Sequence, residues 1–132
     1  MTDNRIEPFW VAPDLLLAVH DRQLAEHGGL AGVRDAGALE SAAARPLNQW
    51  AHGVDDRCNL AASLAHGIAR NHPFFDGNKR TAWVAARLFL ILNDLKIFYE
   101  REEAIDTVLS LAAGELSEEE LADWFRQHLV ED

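Results

Sequence analysis

The stretch Asn78-Lys-Arg-Thr-Ala-Trp-Val-Ala-Ala-Arg-Leu-Phe-Leu-Ile-Leu-Asn-Asp-Leu95 decides the fold. Trp83, Val84, Leu88, Phe89, Ile91 and Leu92 fall on nearly every side of a helix, and a helix without a polar face must be enclosed by other elements. Its most apolar part, Thr81 to Leu92, is interrupted by Arg87 and is too short to span a bilayer. The segment therefore predicts a central buried helix within a soluble bundle.

The helical pattern continues on both sides, with prolines at 8, 13, 46 and 73 as the main punctuation. Pro13 suits the first turn of a helix through Leu15, Leu16, Val19 and Leu24, which the Gly28-Gly29 pair stops. Asp35 caps a short helix over Ala36 to Arg45, expected to end before Pro46. Leu47 to Asp56 mixes Asn, Gln, Trp, His and Gly without a period and reads as an exposed loop. Leu60, Leu64 and Ile68, four residues apart, predict a helix from about Asp56 to Asn71, closed by Pro73. Glu102 to Ala113 gives another. The last opens at Ser117, with Glu120 as its capping-box partner and Leu121, Trp124 and Leu129 along one side. No segment alternates apolar and polar residues for long, and no repeat or linker is visible. The expectation is an all-α, single compact domain of about six helices over residues 1–132, with a central buried helix.

Composition narrows the function. A chain of 132 residues has the usual size of one domain. Acidic residues outnumber basic ones by 22 to 12, a formal charge of −10, which weighs against a broad phosphate-binding surface and hence against a nucleic-acid partner. With 48% apolar and 26% charged residues the chain can bury a core, unlike a disordered tail. Cys58 is the sole cysteine, which excludes an internal disulfide and a Cys-based zinc cluster and agrees with a reducing compartment. Asp3, Arg5, Glu7, Asp14 and two prolines within the first twenty residues leave no apolar core for a signal peptide. A cytoplasmic protein without a membrane partner is expected.

Chemistry concentrates in His72-Pro-Phe-Phe-Asp-Gly-Asn-Lys-Arg-Thr81, between the end of one helix and the start of the next. Gly77 permits backbone conformations barred to other residues, and the amides opening the following helix are unpaired donors at a positive dipole end. Such an arrangement binds anions, phosphate above all. Lys79 and Arg80 add two cations there, and a guanidinium can grip phosphate through two parallel hydrogen bonds. Asp76 beside a phosphate makes sense if Mg²⁺ bridges them, since that ion is held by one or two carboxylates plus phosphate oxygens and water. A plainer alternative is that Asp76 only caps the helix, and Lys79 has a solvated alternative. His72 supplies an imidazole able to take a proton from an incoming hydroxyl. Phe74 should point into the core and fix the loop. Base, metal ligand, anion cradle and cations together suit phosphoryl or nucleotidyl transfer.

Elsewhere the structural readings are preferred. His20-Asp21 lacks the further ligands a metal-dependent phosphohydrolase needs and is assigned a structural or surface role. Arg34 and Asp35 are expected to fix a turn. His27, His52 and His128 are expected to be solvated, and packing explains His66. No Gly-x₄-Gly-Lys-Ser/Thr loop, no Gly-x-Gly-x-x-Gly and no protein-kinase signature set occurs.

The His72–Trp83 segment resembles the Fic/Doc superfamily signature, His-x-Phe-x-Asp/Glu-Gly-Asn-Gly-Arg-x-x-Arg, and is most similar to the death-on-curing (Doc) branch. Lys79 stands where Fic adenylyltransferases have a second glycine, and Trp83 where they have the final arginine. Gly77, where the founding Doc type has alanine, departs toward Fic. His20-Asp21, Gly28-Gly29, Gly32-Val-Arg-Asp35, Leu39-Glu-Ser41, Ala44-Arg-Pro46 and Ala65-His-Gly-Ile-Ala-Arg-Asn71 also resemble Doc-family text, extending the similarity over roughly residues 14 to 127.

By that resemblance His72 is the general base toward a target-protein hydroxyl, Asp76 the Mg²⁺ ligand, and Gly77, Asn78, Lys79 and Arg80 the holders of the ATP phosphates. His72, Asp76, Lys79 and Arg80 form the implied catalytic set. In place of glycine, Lys79 crowds the cradle, and Doc-type proteins are thought to bind the nucleotide reversed, presenting its γ-phosphate. The resemblance implies a toxin that phosphorylates a threonine of translation factor EF-Tu and arrests translation. Leu47 to Asp56 takes the place of the family's target-docking flap. No Ser/Thr-x-x-x-Glu-Gly/Asn self-inhibitory motif occurs, so restraint is expected from an antitoxin on a separate chain. Two alternatives stay open: adenylyl transfer, motivated by Gly77, and a catalytically weak antitoxin-binding module, motivated by the missing arginine.

Overall fold

Residues 5–130 are described by the computed structural model, and their helices follow the capping signals closely. Pro13 opens α1 (Pro13–His27), and Gly28, at φ 76, ends it. The Asp35 carboxylate accepts from Ala38 N–H to begin α2 (Ala36–Ala51), and Asp56 accepts from Asn59 N–H to begin α3 (Arg57–Asn71). α4 (Asn78–Leu92) starts after Gly77, itself left-handed at φ 79. Capping boxes Glu100/Glu103 and Ser117/Glu120 open α5 (Arg101–Ala112) and α6 (Glu118–Gln127). Among the described residues no strand forms; two isolated bridges, Val33 with Phe74 and Ile97 with Leu129, tie the connections together. No helix among them is long and apolar enough to cross a membrane.

The all-α reading with a central helix holds, but the centre is α3 rather than the Asn78–Leu95 segment. Every residue from Leu60 to Ala69 is buried, and α3 packs against α2, α4, α5 and α6. α4 buries Ala82, Trp83, Ala85, Ala86, Phe89 and Leu90, yet Ile91 and Leu92 reach solvent at its end. Size explains the exchange. Ala61, Ala62, Ser63, Ala65, Gly67 and Ala69 give α3 a thin cross-section that neighbours approach on all sides. At Gly67 an added Cβ would sit 3.3 Å from Ala42 Cα, so α2 and α3 meet nearly backbone to backbone. Large apolar side chains mark the helix that packs on the centre, and small ones mark the centre itself.

A second correction concerns Pro46. The expected helix end at Arg45 and the exposed loop over Leu47–Asp56 do not occur: α2 runs through a buried Pro46 to Ala51, and only His52 to Asp56 connect to α3. Proline inside a helix costs about 3 kcal/mol or more through its missing N–H and its ring. Continuing the helix buries Trp50 against Trp10, with the Arg57 guanidinium 5.5 Å over the Trp50 ring. It also brings Gln49 to Glu118 at the start of α6, the carboxylate that Arg45 contacts as well. Those gains outweigh the local cost. The four tryptophans serve the core: Trp10 meets Trp50 and Phe89 on one side, and Trp83 and Trp124 join Tyr99 and Phe125 on the other.

Candidate functional site

The loop from His72 to Gly77 is set between three elements. Phe74 is buried as expected, and its ring stacks on His20 of α1 with centroids 3.7 Å apart. His20 is buried too, and its Nε2 lies 2.8 Å from the Asp76 carbonyl oxygen, a distance that suits donation from a protonated Nε2. The structural role assigned to His20 is thus met in the interior and not on the surface. Asn78 closes the loop on itself: its Oδ1 accepts from Phe74 N–H at 3.0 Å and its Nδ2 donates to Phe74 C=O at 2.9 Å. The Asn78 side chain is therefore engaged in bracing the loop, and its contribution to an anion would come from its backbone amide.

The connection from Gly28 to Asp35 lies along the opposite side. Leu30 N–H donates to Asp76 Oδ2 at 2.6 Å, and Gly29 is packed so tightly that an added Cβ would stand 3.2 Å from Asp76 Cβ. Asp76 does not cap α4, because Gly77 occupies the N-cap position with no side-chain cap bond. Arg34 and Asp35 do fix a turn, with both backbone N–H groups donating to Pro73 C=O at 2.7 and 3.1 Å. The Arg34 side chain donates to the carbonyls of His72 and Asn71.

These braces surround a cavity of about 470 Å³ lined by His72, Asp76, Gly77, Asn78, Lys79 and Arg80, together with Gly28 and Gly29. The sequence-derived site residues thus converge on one wall and floor. The first helical bond of α4 runs from Thr81 N–H to Gly77 C=O, which leaves the amides before it without an intrahelical partner. Lys79 and Arg80 are exposed at the rim and form no ion pair among the described residues. Cations and orphan amides at a helix start are the elements that suit an anion, here in a protein of formal charge −10. Trp83, at the position of the absent arginine, is buried against Tyr99, Trp124 and Phe125 and brings no charge.

The donor set also bears on a metal. No group of three or more His, Cys, Asp or Glu side chains that could hold an ion occurs among the described residues. Asp76 is a single exposed carboxylate with one oxygen tied to Leu30, which suits a cation completed by phosphate oxygens and water, not a protein cage. The site therefore fits Mg²⁺ carried in with a polyphosphate.

A larger cavity, about 860 Å³, lies between α2, α3 and the start of α6 and is lined by Arg45, Gln49, His66, Arg70 and Glu118 among others. It lacks the loop and its helix-start amides, so size alone does not identify the reactive site. His66 there is buried, with Nε2 3.0 Å from Leu116 C=O, in keeping with its packing role. Of the histidines expected to be solvated, His128 instead stacks on Trp124 and bonds Glu103, holding that carboxyl below its usual range. The convergence of Leu30, His20 and Arg34 on the His72–Gly77 loop has no local signal in the sequence. The Gly-Gly pair and the His20-Asp21 dipeptide stand out, but their partners lie far along the chain.

Comparison with known proteins agrees with this geometry. Residues 10–90 match the Fic/DOC family model. The chain is 35% identical to the protein kinase doc of Escherichia phage P1 over 118 residues, 89% of this chain and 93% of that protein. It is 48% identical to the toxin Doc of Mycolicibacterium smegmatis over 73 residues, 53% of this chain and 55% of that relative. With the signature loop at the start of α4, a family match over most of its helices and a relative matched over nearly its whole length, the chain belongs to the Fic/DOC family.

Proposed function

We propose that this protein is a Doc-type toxin that transfers the γ-phosphoryl group of Mg-ATP to a hydroxyl on a target protein, with a threonine of translation factor EF-Tu as the target. The observation that carries the reading is the shared cavity lined by His72, Asp76 and the first turn of α4. The likeness to a relative described as a protein kinase supports it.

In the reaction the target hydroxyl attacks the γ-phosphorus, the bond to the β-bridging oxygen breaks, and ADP leaves. His72 accepts the hydroxyl proton as the new P–O bond forms. The amides of Asn78 to Arg80 and the side chains of Lys79 and Arg80 hold the phosphates and stabilise charge on the transferring group. Bound Mg²⁺ would be held by Asp76 and would neutralise charge on the phosphate oxygens. Lys79 at the cradle's edge supports the reversed nucleotide, because a long cation now lies where glycine would leave room for a deeper phosphate.

Restraint is assigned to an antitoxin on a separate chain. A groove of about 370 Å³ adjoins Lys79 and Arg80 and is lined by Trp83, Val84, Ile105 and Leu109, an apolar surface suited to a folding tail. The proposed activity would require the cytoplasm, where ATP and the proposed target occur. Purified protein incubated with EF-Tu and ATP labelled at the α or the γ phosphate tests the assignment. Label from γ alone is expected; label from α identifies adenylyl transfer, the alternative motivated by glycine at position 77, and label from neither identifies a binding module. His72→Ala and Asp76→Ala should each abolish transfer.

A further inference from the structure

His72 occupies a left-handed backbone conformation, φ 47 and ψ 59, at the C-terminus of α3. A residue with a Cβ enters that region at a cost and stays there only where its surroundings over-determine it. Here the surroundings are named. His72 N–H donates to Ile68 C=O at 3.2 Å, closing the helix, while the Arg34 side chain reaches across from the α1–α2 connection. Its Nε donates to His72 C=O at 2.6 Å and its terminal nitrogen to Asn71 C=O at 2.8 Å. Arg34 and Asp35 N–H then hold the next carbonyl, Pro73.

The two-pronged grip matters because the dihedrals of His72 decide where its imidazole projects. The last carbonyls of a helix carry partial negative charge, so a cation beside them is stabilised as well as bonded. The rest of the loop is held by other groups: Asp76 by Leu30 N–H and His20, and Phe74 by Asn78. The Arg34 side chain thus grips His72 through hydrogen bonds distinct from those that hold Asp76 and Phe74, although Leu30, Gly32 and Arg34 share one connection.

We propose that Arg34 is a positioning residue for His72, holding the base in its left-handed conformation while taking no part in binding nucleotide or metal. The proposal rests on the reading of His72 as the base. Losing the grip frees the peptide after His72 to rotate and displaces the imidazole, and a displacement near 1 Å costs about 100-fold in rate.

The test compares Arg34→Met, which keeps the aliphatic stem, and Arg34→Lys, which keeps the charge but cannot span both carbonyls. Target phosphorylation is measured by γ-label transfer and Mg-ATP affinity by calorimetry. Arg34→Met is expected to lower kcat about 10- to 100-fold with Mg-ATP affinity unchanged, and Arg34→Lys to fall between it and the parent. A kcat equal to the parent's overturns the proposal. So does a parallel loss of Mg-ATP affinity, which would make Arg34 a general support of the loop. His72→Ala separates the two levels: if it remains active, the base assignment itself fails, whereas an inactive His72→Ala beside a fully active Arg34→Met refutes only the role of Arg34.

Discussion

Gly29→Ala probes how closely the α1–α2 connection controls Asp76. Gly29 lies at φ +124, a conformation L side chains rarely adopt, and an added Cβ would meet Leu24 Cδ2 at 3.0 Å and Asp76 Cβ at 3.2 Å. The Leu24 methyl is a flexible end and can turn aside; Asp76 sits in a braced loop and must shift by a few tenths of an ångström. Gly53 is the control, because it also has positive φ, +102, but nothing lies within 4 Å of its Cβ position. Backbone strain of about 1–3 kcal/mol applies to both alanine variants. At roughly 4 °C per kcal/mol for a chain of this length, each should lower Tm by about 4–12 °C. Only Gly29→Ala moves the carboxylate, and if Asp76 is the proposed metal ligand, disturbing its support should weaken metal affinity by about 10–100-fold. Calorimetric titration of Mg-ATP, and of ATP without Mg²⁺, into both variants reads that difference. The metal-dependent part of the affinity should fall in Gly29→Ala and persist in Gly53→Ala. Unchanged Mg-ATP binding in Gly29→Ala, or an equal loss in Gly53→Ala, would refute the argument that this glycine exists to let the backbone approach Asp76.

Phe74→Ala removes a buried ring stacked on His20 and should cost about 3–5 kcal/mol in chemical denaturation; a loss below about 1 kcal/mol would show that the loop does not depend on this anchor. Glu120 is held below its usual carboxylate range by the Ser117 backbone N–H and hydroxyl. Its contribution to stability is complete above the ordinary value of roughly 4.3 and is lost as pH falls through the depressed one. The Tm gap between the parent and Glu120→Gln should therefore narrow on acidification, and a gap independent of pH contradicts the linkage. Burial, reinforced by the Asp56 charge and opposed by Arg126, pushes the Cys58 thiol up to about 11. At pH 8 iodoacetamide should leave the folded protein unmodified and label it rapidly in denaturant; fast labelling of the native state would place the thiol elsewhere.

Much of the molecule was legible locally. Asp35, Asp56 and Ser117 cap helices by bonding N–H groups three residues away, so their signals are confined to a single turn and survive in the sequence. The candidate site loop was legible for the same reason, since its histidine, carboxylate, glycine and cations lie within nine residues. Pro46 misled because its cost is local and its compensation is not. The partners that repay it, Trp10 and Glu118, come from other helices, and nothing near residue 46 announces them.

Local signals in the sequence are enough to show that the chain is helical, where its helices begin, and that one short motif gathers the candidate site residues, because caps, periodicity and a compact motif act over a few residues. Tertiary structure decided that the small-residue helix α3, and not the richly apolar Asn78–Leu95 segment, lies at the centre. Hydrophobicity states how strongly a helix seeks burial, but close approach from every side is a matter of side-chain volume, which only packing tests. Tertiary structure also decided how the motif is held. Arg34 to His72, Leu30 to Asp76 and His20 to Asp76 join residues 38, 46 and 56 positions apart, and such pairs form only when α1 has folded back against α4.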